Sequence, residues 1–258
     1  MAFDLSSIGS GFGIRPPRMI LLGTEKIGKS TFAACFPSPC FIPIAGEEGI
    51  DDLPVQQFPP STCFADVKSA LQSLLDGEHE FRTVVIDSAS TLEPLVWNDV
   101  RARNEGASSI ETVLGGYGKG YTESLMEWGT LTQYLDALRT HRNMASIIVG
   151  HVIIRQFNNP EGPDYDRYVA DINQKAANLL YRWADAIVFA NTKVVVKVEK
   201  AGFGKETGKG MDTSGGQRFL YTQKRPAHPG GGRGVYGRLP HELPFSWEHY
   251  QAAVASAK

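Results

Sequence analysis

The chain has 258 residues, 42% of them hydrophobic and 21% charged, with a formal net charge of −2. That length can bury one substantial core at the upper end for a single domain, and no apolar run approaches the ~18 residues needed to cross a bilayer, which sets a membrane role aside. The near-neutral balance argues against bulk attraction to nucleic acid, yet residues 193–238 carry ten basic side chains against three acidic, a local +7 that leaves −9 elsewhere.

Residues 1–17, MAFDLSSIGSGFGIRPP, lack the basic start and apolar core of a secretory signal and read as a flexible arm before one domain over 18–258. Cys35, Cys40 and Cys63 have no metal-ligand spacing and cannot all pair, which fits small buried thiols in a reducing cytoplasm.

The chain is organised around Arg18 to Cys35. Four apolar residues, Met19 to Leu22, predict a buried strand, and the residues after Ser30 predict a helix. Between them Gly23, Thr24, Glu25, Lys26, Ile27, Gly28, Lys29 and Ser30 satisfy the phosphate-loop pattern G-x-x-x-x-G-K-[ST] at every fixed position. Glycines let backbone amides wrap an anion closely, and the new helix points its positive end at the same spot. Lys29 is then expected to reach the β- and γ-phosphates of ATP, Ser30 to ligate Mg²⁺, and Thr31 to sit by the α-phosphate.

Cys40 to Ala45 predicts a second strand ending in Gly46-Glu47-Glu48-Gly49. A carboxylate at such a strand end is placed to orient the attacking water, and Glu48 is the first choice, with Glu47 beside it. Asp66 to Leu75 has the spacing of one helical face. Arg82 to Ser88, RTVVIDS, is an apolar strand ending in Asp87, the Walker B pattern. It is expected beside the phosphate-loop strand, where Asp87 holds Mg²⁺ with Ser30. Asp87 could alternatively cap a helix from about Thr91.

Residues 101–120 are rich in Gly and Ser and lack a period, the mark of a functional or mobile insertion. A helix over 122–141 and a strand over 144–150 follow. His151, just past that strand, is placed to sense the γ-phosphate and to report it to 152–171. There Phe157, Tyr165, Arg167 and Tyr168 mix aromatic faces with a guanidinium, a combination that suits unpaired bases. A helix over 172–183 and a strand over 184–190 come next, then an antiparallel hairpin of 194–198 with 218–222. Two look-alikes are set aside: residues 213–217, TSGGQ, read as a turn, and the second glycine-lysine stretch, 204–209, as a flexible loop. Arg225, Arg233 and Arg238 stand on a late glycine-rich stretch, where an arginine could complete a neighbour's site. A closing helix covers 245–255.

Together, GTEKIGKS, GEEGIDDL, TVVIDS, the strand ending in VGH and the late arginines resemble the RecA-type ATPases, most of all small phage-encoded single-domain members linked to single-strand annealing and recombination. The resemblance spans Arg18 to about Ala253. It implies an α/β fold with a mostly parallel sheet flanked by helices, and an oligomer with ATP between subunits. It also implies single-stranded DNA held by loops at 101–120 and 152–171, in a bacterial cytoplasm. Arg233 matches the second place of the family's late Lys-x-Arg pair, and Gly231 replaces the lysine. Two other readings are a phosphate-loop ATPase that remodels a protein partner in phage replication or packaging, and a small-molecule kinase. A GTPase is disfavoured because no Asn-Lys-x-Asp motif is present.

Overall fold

The computed structural model describes residues 4, 13, 15–201, 205–212 and 215–258, with backbone alone over 194–201 and 205–212. The arm expected over 1–17 falls mostly outside these residues, as do Gly204, Thr213 and Ser214 of the two look-alikes.

A mostly parallel sheet forms the centre. Strands β1 (Arg18–Gly23), β2 (Pro39–Pro43), β3 (Gln56–Gln57), β4 (Thr83–Asp87), β5 (Ala145–Phe157) and β7 (Ala186–Thr192) run in parallel, in the order β7-β1-β5-β4-β2-β3. Here β6 is Tyr165–Ala170. Strands β10 (Arg218–Tyr221) and β12 (Glu242–Pro244) extend the β7 edge antiparallel. The short β11 (Gly231–Gly232) also pairs β7.

The apolar runs are continuous because both faces are covered, as parallel sheets require. Alternation sorts each run by face. Ile20 and Leu22 join one core with residues of α2 (Phe64–Asp76), α3 (Ala89–Ala102), α4 (Lys119–His141) and α5 (Gln174–Trp183). Met19 and Leu21 join the other, with Phe32 of α1 (Lys29–Ala34) and Tyr250 of α6 (Trp247–Ser256). On that second face the ring of Phe32 lies 5.3 Å from Phe245 and 5.7 Å from Tyr250, while Phe36 lies 4.5 Å from Trp247. Such pairs contribute about 0.5–1.5 kcal/mol each beyond area burial. No helix among the described residues is long and apolar enough to cross a membrane.

Several expectations need correction. The Asp87 strand is not next to the phosphate-loop strand: β5 lies between β1 and β4, bonded to both. Nor does β5 stop before His151. It continues to Phe157 and pairs with β6 as a hairpin, Phe157 opposite Tyr165 and Arg155 opposite Arg167, so most of 152–171 is a two-stranded ladder, with a turn left only over 158–164. Residues 101–120 are partly built, with a 3₁₀ turn at Ile110–Gly115 whose Ile110 and Val113 pack with Val100. The expected hairpin is re-paired. The backbone of β8 (Val194–Ala201) pairs with β9 (Lys205–Asp212), which includes much of the stretch read as a loop, while β10 pairs with β7. The helix after Asp87 begins at Ala89, capped by the Ser88 hydroxyl rather than by Asp87.

Candidate nucleotide site

Four parallel strands deliver the site residues at their carboxyl ends, where open α/β sheets bind ligands. Gly23 ends β1 and is in register with His151 of β5, and Asp87 ends β4 opposite Pro43 of β2. A side chain on Gly23 would meet the Ala190 carbonyl at 2.7 Å, so only glycine lets the loop leave between β1 and β7. Thr24 is half-buried, Glu25 and Lys26 are exposed, and Ile27 is buried in the second core. Gly28 has φ of 101°, a left-handed value that again favours glycine. Since α1 starts at Lys29, its first-turn amides, including those of Ser30 and Thr31, have no acceptor within the helix.

Lys29 is 5% exposed and donates to the carbonyls of Gly23 (3.1 Å) and Thr24 (2.9 Å), with His151 Nδ1 at 3.5 Å. Burial lowers its ammonium below the ordinary lysine value, against the pull of Asp87, Glu47 and Glu25. Ser30 Oγ donates to Asp87 Oδ2 at 2.6 Å. Burial raises the Asp87 carboxyl, and the Ser30 hydrogen bond offsets only part of that. Phosphate and metal would relieve both groups, since one supplies anions to a buried cation and the other a cation to a buried acid.

Glu48 does not enter the site. It is exposed, while its neighbour Glu47 turns inward. Glu47 Oε1 accepts from Ser88 Oγ (2.6 Å) and Thr91 Oγ1 (3.2 Å) and lies 3.1 Å from His151 Nε2. The physical reason is the tight turn after β2, which aims successive side chains in opposite directions. The start of α3 then supplies two hydroxyls that only Glu47 meets. Burial alone would raise Glu47, but hydrogen bonds from His151 and Ser88 outweigh it and hold the carboxyl below the ordinary glutamate value. His151 is therefore a bridge, with one ring nitrogen toward Lys29 and the other toward Glu47. Its backbone amide is fixed by Ser90 Oγ at 3.1 Å.

Arg233 is not brought to the phosphate loop. Its guanidinium caps the carbonyl end of α5, donating to the carbonyls of Arg182 (2.8 Å), Trp183 (2.7 Å) and Ala184 (2.6 Å). Its Nε also lies 3.5 Å from Asp185. Unsatisfied carbonyls at a helix end attract a cation, and Arg233 meets three of them here. The arginine that does touch the loop is Arg218, which sequence reasoning missed. Its Nη1 donates to the Ile27 carbonyl at 2.9 Å, and a side chain on Gly28 would come within 2.6 Å of that nitrogen. The only sequence signal was a basic residue opening an amphipathic strand.

The residues fit a nucleoside triphosphate with Mg²⁺. Among the described residues no group of three or more His, Cys, Asp or Glu side chains could hold a metal alone. Ser30 and Asp87 offer two oxygens, which suits an ion that arrives with phosphate oxygens and keeps water. When bound, that pair supplies the transferable phosphoryl group and the charge that steadies it. The loop amides and Lys29 are the groups that would hold the phosphates and Ser30 with Asp87 the pair that would hold the metal, while Glu47 Oε2 is the oxygen not engaged by Ser88, Thr91 and His151.

A search of curated proteins found no match. A family model described as "AAA domain" matches residues 15–234, most of the chain and every residue of the site. By that match and by the geometry of Lys29, Ser30 and Asp87, the chain belongs to the AAA-domain family and is a phosphate-loop ATPase.

Proposed function

We propose that the chain hydrolyses ATP with Mg²⁺ to act on single-stranded DNA as a homo-oligomer, in annealing or recombination. One observation carries the ATPase reading further than the family does. Lys29, His151 and Glu47 form a chain of contacts of 3.5 and 3.1 Å beside the Ser30–Asp87 pair. A carboxylate with a lowered pKa is a weak proton acceptor but a firm hydrogen-bond acceptor, so Glu47 orients the water rather than stripping it early. His151 would register the γ-phosphate through Lys29 and pass its presence along β5.

The DNA reading is supported by chemistry at the far end of that strand. Phe157 and Tyr165 lie 5.2 Å apart, and the Arg167 guanidinium sits 4.1 Å above Phe157. Flat rings with a cation, all partly exposed on one hairpin, suit base stacking and phosphate contact. The homo-oligomer rests on the RecA resemblance. A second reading, remodelling of a protein partner, draws on the exposed Leu114 (51%), Tyr117 (99%) and Met126 (65%) near the start of α4.

ATP hydrolysis measured with and without single-stranded DNA, for the wild type and Lys29→Ala, tests both. The expected outcome is turnover that rises with DNA and falls at least ~100-fold in the variant, the scale of losing a principal charge-stabilising group. Turnover indifferent to DNA, with no retention of DNA at low salt, would favour partner remodelling.

A further inference from the structure

Away from the phosphate loop, a cavity of about 270 Å³ opens between β6, α5 and the loop at 224–230. Arg167, Lys224 and Arg225 line it together with Tyr168, Gln174 and Asn178, and no acidic side chain does. Lys224 and Arg225 are exposed, and neither forms an ion pair among the described residues. Three cations around one opening without a carboxylate repel each other and favour an anionic guest.

The rest of the lining narrows the guest. Gln174 Nε2 donates to Asn178 Oδ1 at 2.9 Å, which leaves the Gln174 oxygen and the Asn178 amide to present an acceptor and a donor. An amide pair with both polarities matches the edge of a nucleobase, and Tyr168 adds an aromatic ring. The volume lies just under the ~300 Å³ at which ligand cavities begin, which limits the guest to one small unit. One nucleotide unit has the required anion, plane and edge.

The cavity is also wired to the ATP site. Its wall β6 is tied to the 224–230 loop by the Tyr168 amide, which donates to the Ala227 carbonyl at 2.8 Å. Just past β6, the Asp171 amide donates to the His151 carbonyl at 3.0 Å. The Asn173 amide donates to both Glu93 oxygens, at 2.8 and 2.9 Å, just before Gln174 begins α5. A guest pressing on β6 and α5 thus pulls on the residue that bridges Lys29 and Glu47.

We propose that this cavity holds one nucleotide unit of a single strand and that its filling acts on ATP turnover through Asp171 and His151. The proposal rests on the strand-binding reading above and adds the place where the strand is gripped.

The test is fluorescence anisotropy with a labelled oligothymidylate over a salt series, using the full chain with ATP. Lys224→Ala/Arg225→Ala is compared with Arg82→Ala/Lys258→Ala, an equal charge change at exposed residues that do not line the cavity. The cavity double variant should weaken binding at least ~10-fold at low salt and flatten the slope of log K against log salt by roughly 1.4, two lost contacts to a single strand. It should also lower the ratio of stimulated to unstimulated turnover, while the comparison variant keeps the wild-type slope. Equal losses in both double variants would reduce the effect to bulk charge and overturn the proposal. Wild-type binding matched by the cavity variant would overturn the cavity alone and leave the strand reading standing. No wild-type binding at low salt would remove both. Full displacement of the oligonucleotide by an equal nucleotide concentration of thymidine monophosphate would make the guest a free nucleotide and overturn the strand assignment.

Discussion

The two ends of the parallel strands each gather buried charge, and the partners differ. At the carboxyl ends, Lys29 is bonded to two carbonyls and Asp87 to a hydroxyl, neutral partners that an anion or a metal can outcompete. At the amino ends Asp185 accepts from Arg18 at 2.9 Å and lies 3.0 Å from Arg139, and Arg18 also reaches Asp136 at 3.0 Å. Burial would raise the Asp185 carboxyl, but Arg18 and Arg139 overcome it and hold it below the ordinary aspartate value. The first arrangement keeps its charges available; the second neutralises them against one another to clamp β1, α4 and β7 together. Charge density alone thus does not mark a ligand site, and the identity of the partners does.

The largest expected effect tests the site end. Glu47→Gln should lower kcat by about 10²–10⁴, the range for a lost general base or water-orienting group, with nucleotide still bound. Glu48→Gln should stay within a factor of about two, as for other exposed substitutions away from a site. Steady-state turnover with a fluorescent-nucleotide titration reads both, and equal losses would dissolve the distinction between the two acids.

The next effect belongs to the other end. Asp185→Ala leaves the largely buried Arg139 without its acid and Arg18 with Asp136 alone, and should cost about 3–5 kcal/mol in urea unfolding. Turnover per folded molecule should stay near the wild type, because no atom of that cluster touches the loop; a selective collapse of kcat would blur the contrast.

On the site side, against Asn173 at the start of α5, lies Glu93, 5% exposed, whose carboxyl burial pushes up to about 7 from 4.5. Between those values the folded chain keeps a proton that the unfolded chain has lost. Stability should therefore fall as pH rises through that window, by up to about 3 kcal/mol. Thermal melts at pH 5 and 8 should show a flatter dependence for Glu93→Gln, and an unchanged slope would count against the buried acid. The smallest effect is at Arg218→Ala. Loss of one charged hydrogen bond to the Ile27 carbonyl, about 1.5–3 kcal/mol at most and less for an exposed group, should raise KM for ATP several-fold and leave kcat nearly unchanged.

How much of this was legible in the sequence follows from how local each feature is. Gly23 to Ser30 and TVVID to Asp87 are contiguous patterns, so strand, loop and helix could be read from them directly. The sheet order could not, because which strand lies between β1 and β4 is decided by packing of helices far apart in the chain. Glu47 against Glu48 depended on one turn's side-chain direction. Arg218 meets Ile27 across 191 residues of sequence, a contact no periodicity reports. The hairpin of β5 and β6 does leave a local trace: two strand-like runs, 152–157 and 165–170, flank the turn-rich Asn158 to Asp164.

The aromatic group on the second face has a practical consequence. The family match stops at residue 234, but Phe245, Trp247 and Tyr250 roof the helix that follows the phosphate loop. A chain shortened to the matched boundary would leave Phe32 and Phe36 facing water, so its loop would rest on an uncovered, sticky helix. Anyone trimming this protein to its recognisable ATPase portion should keep the last two dozen residues.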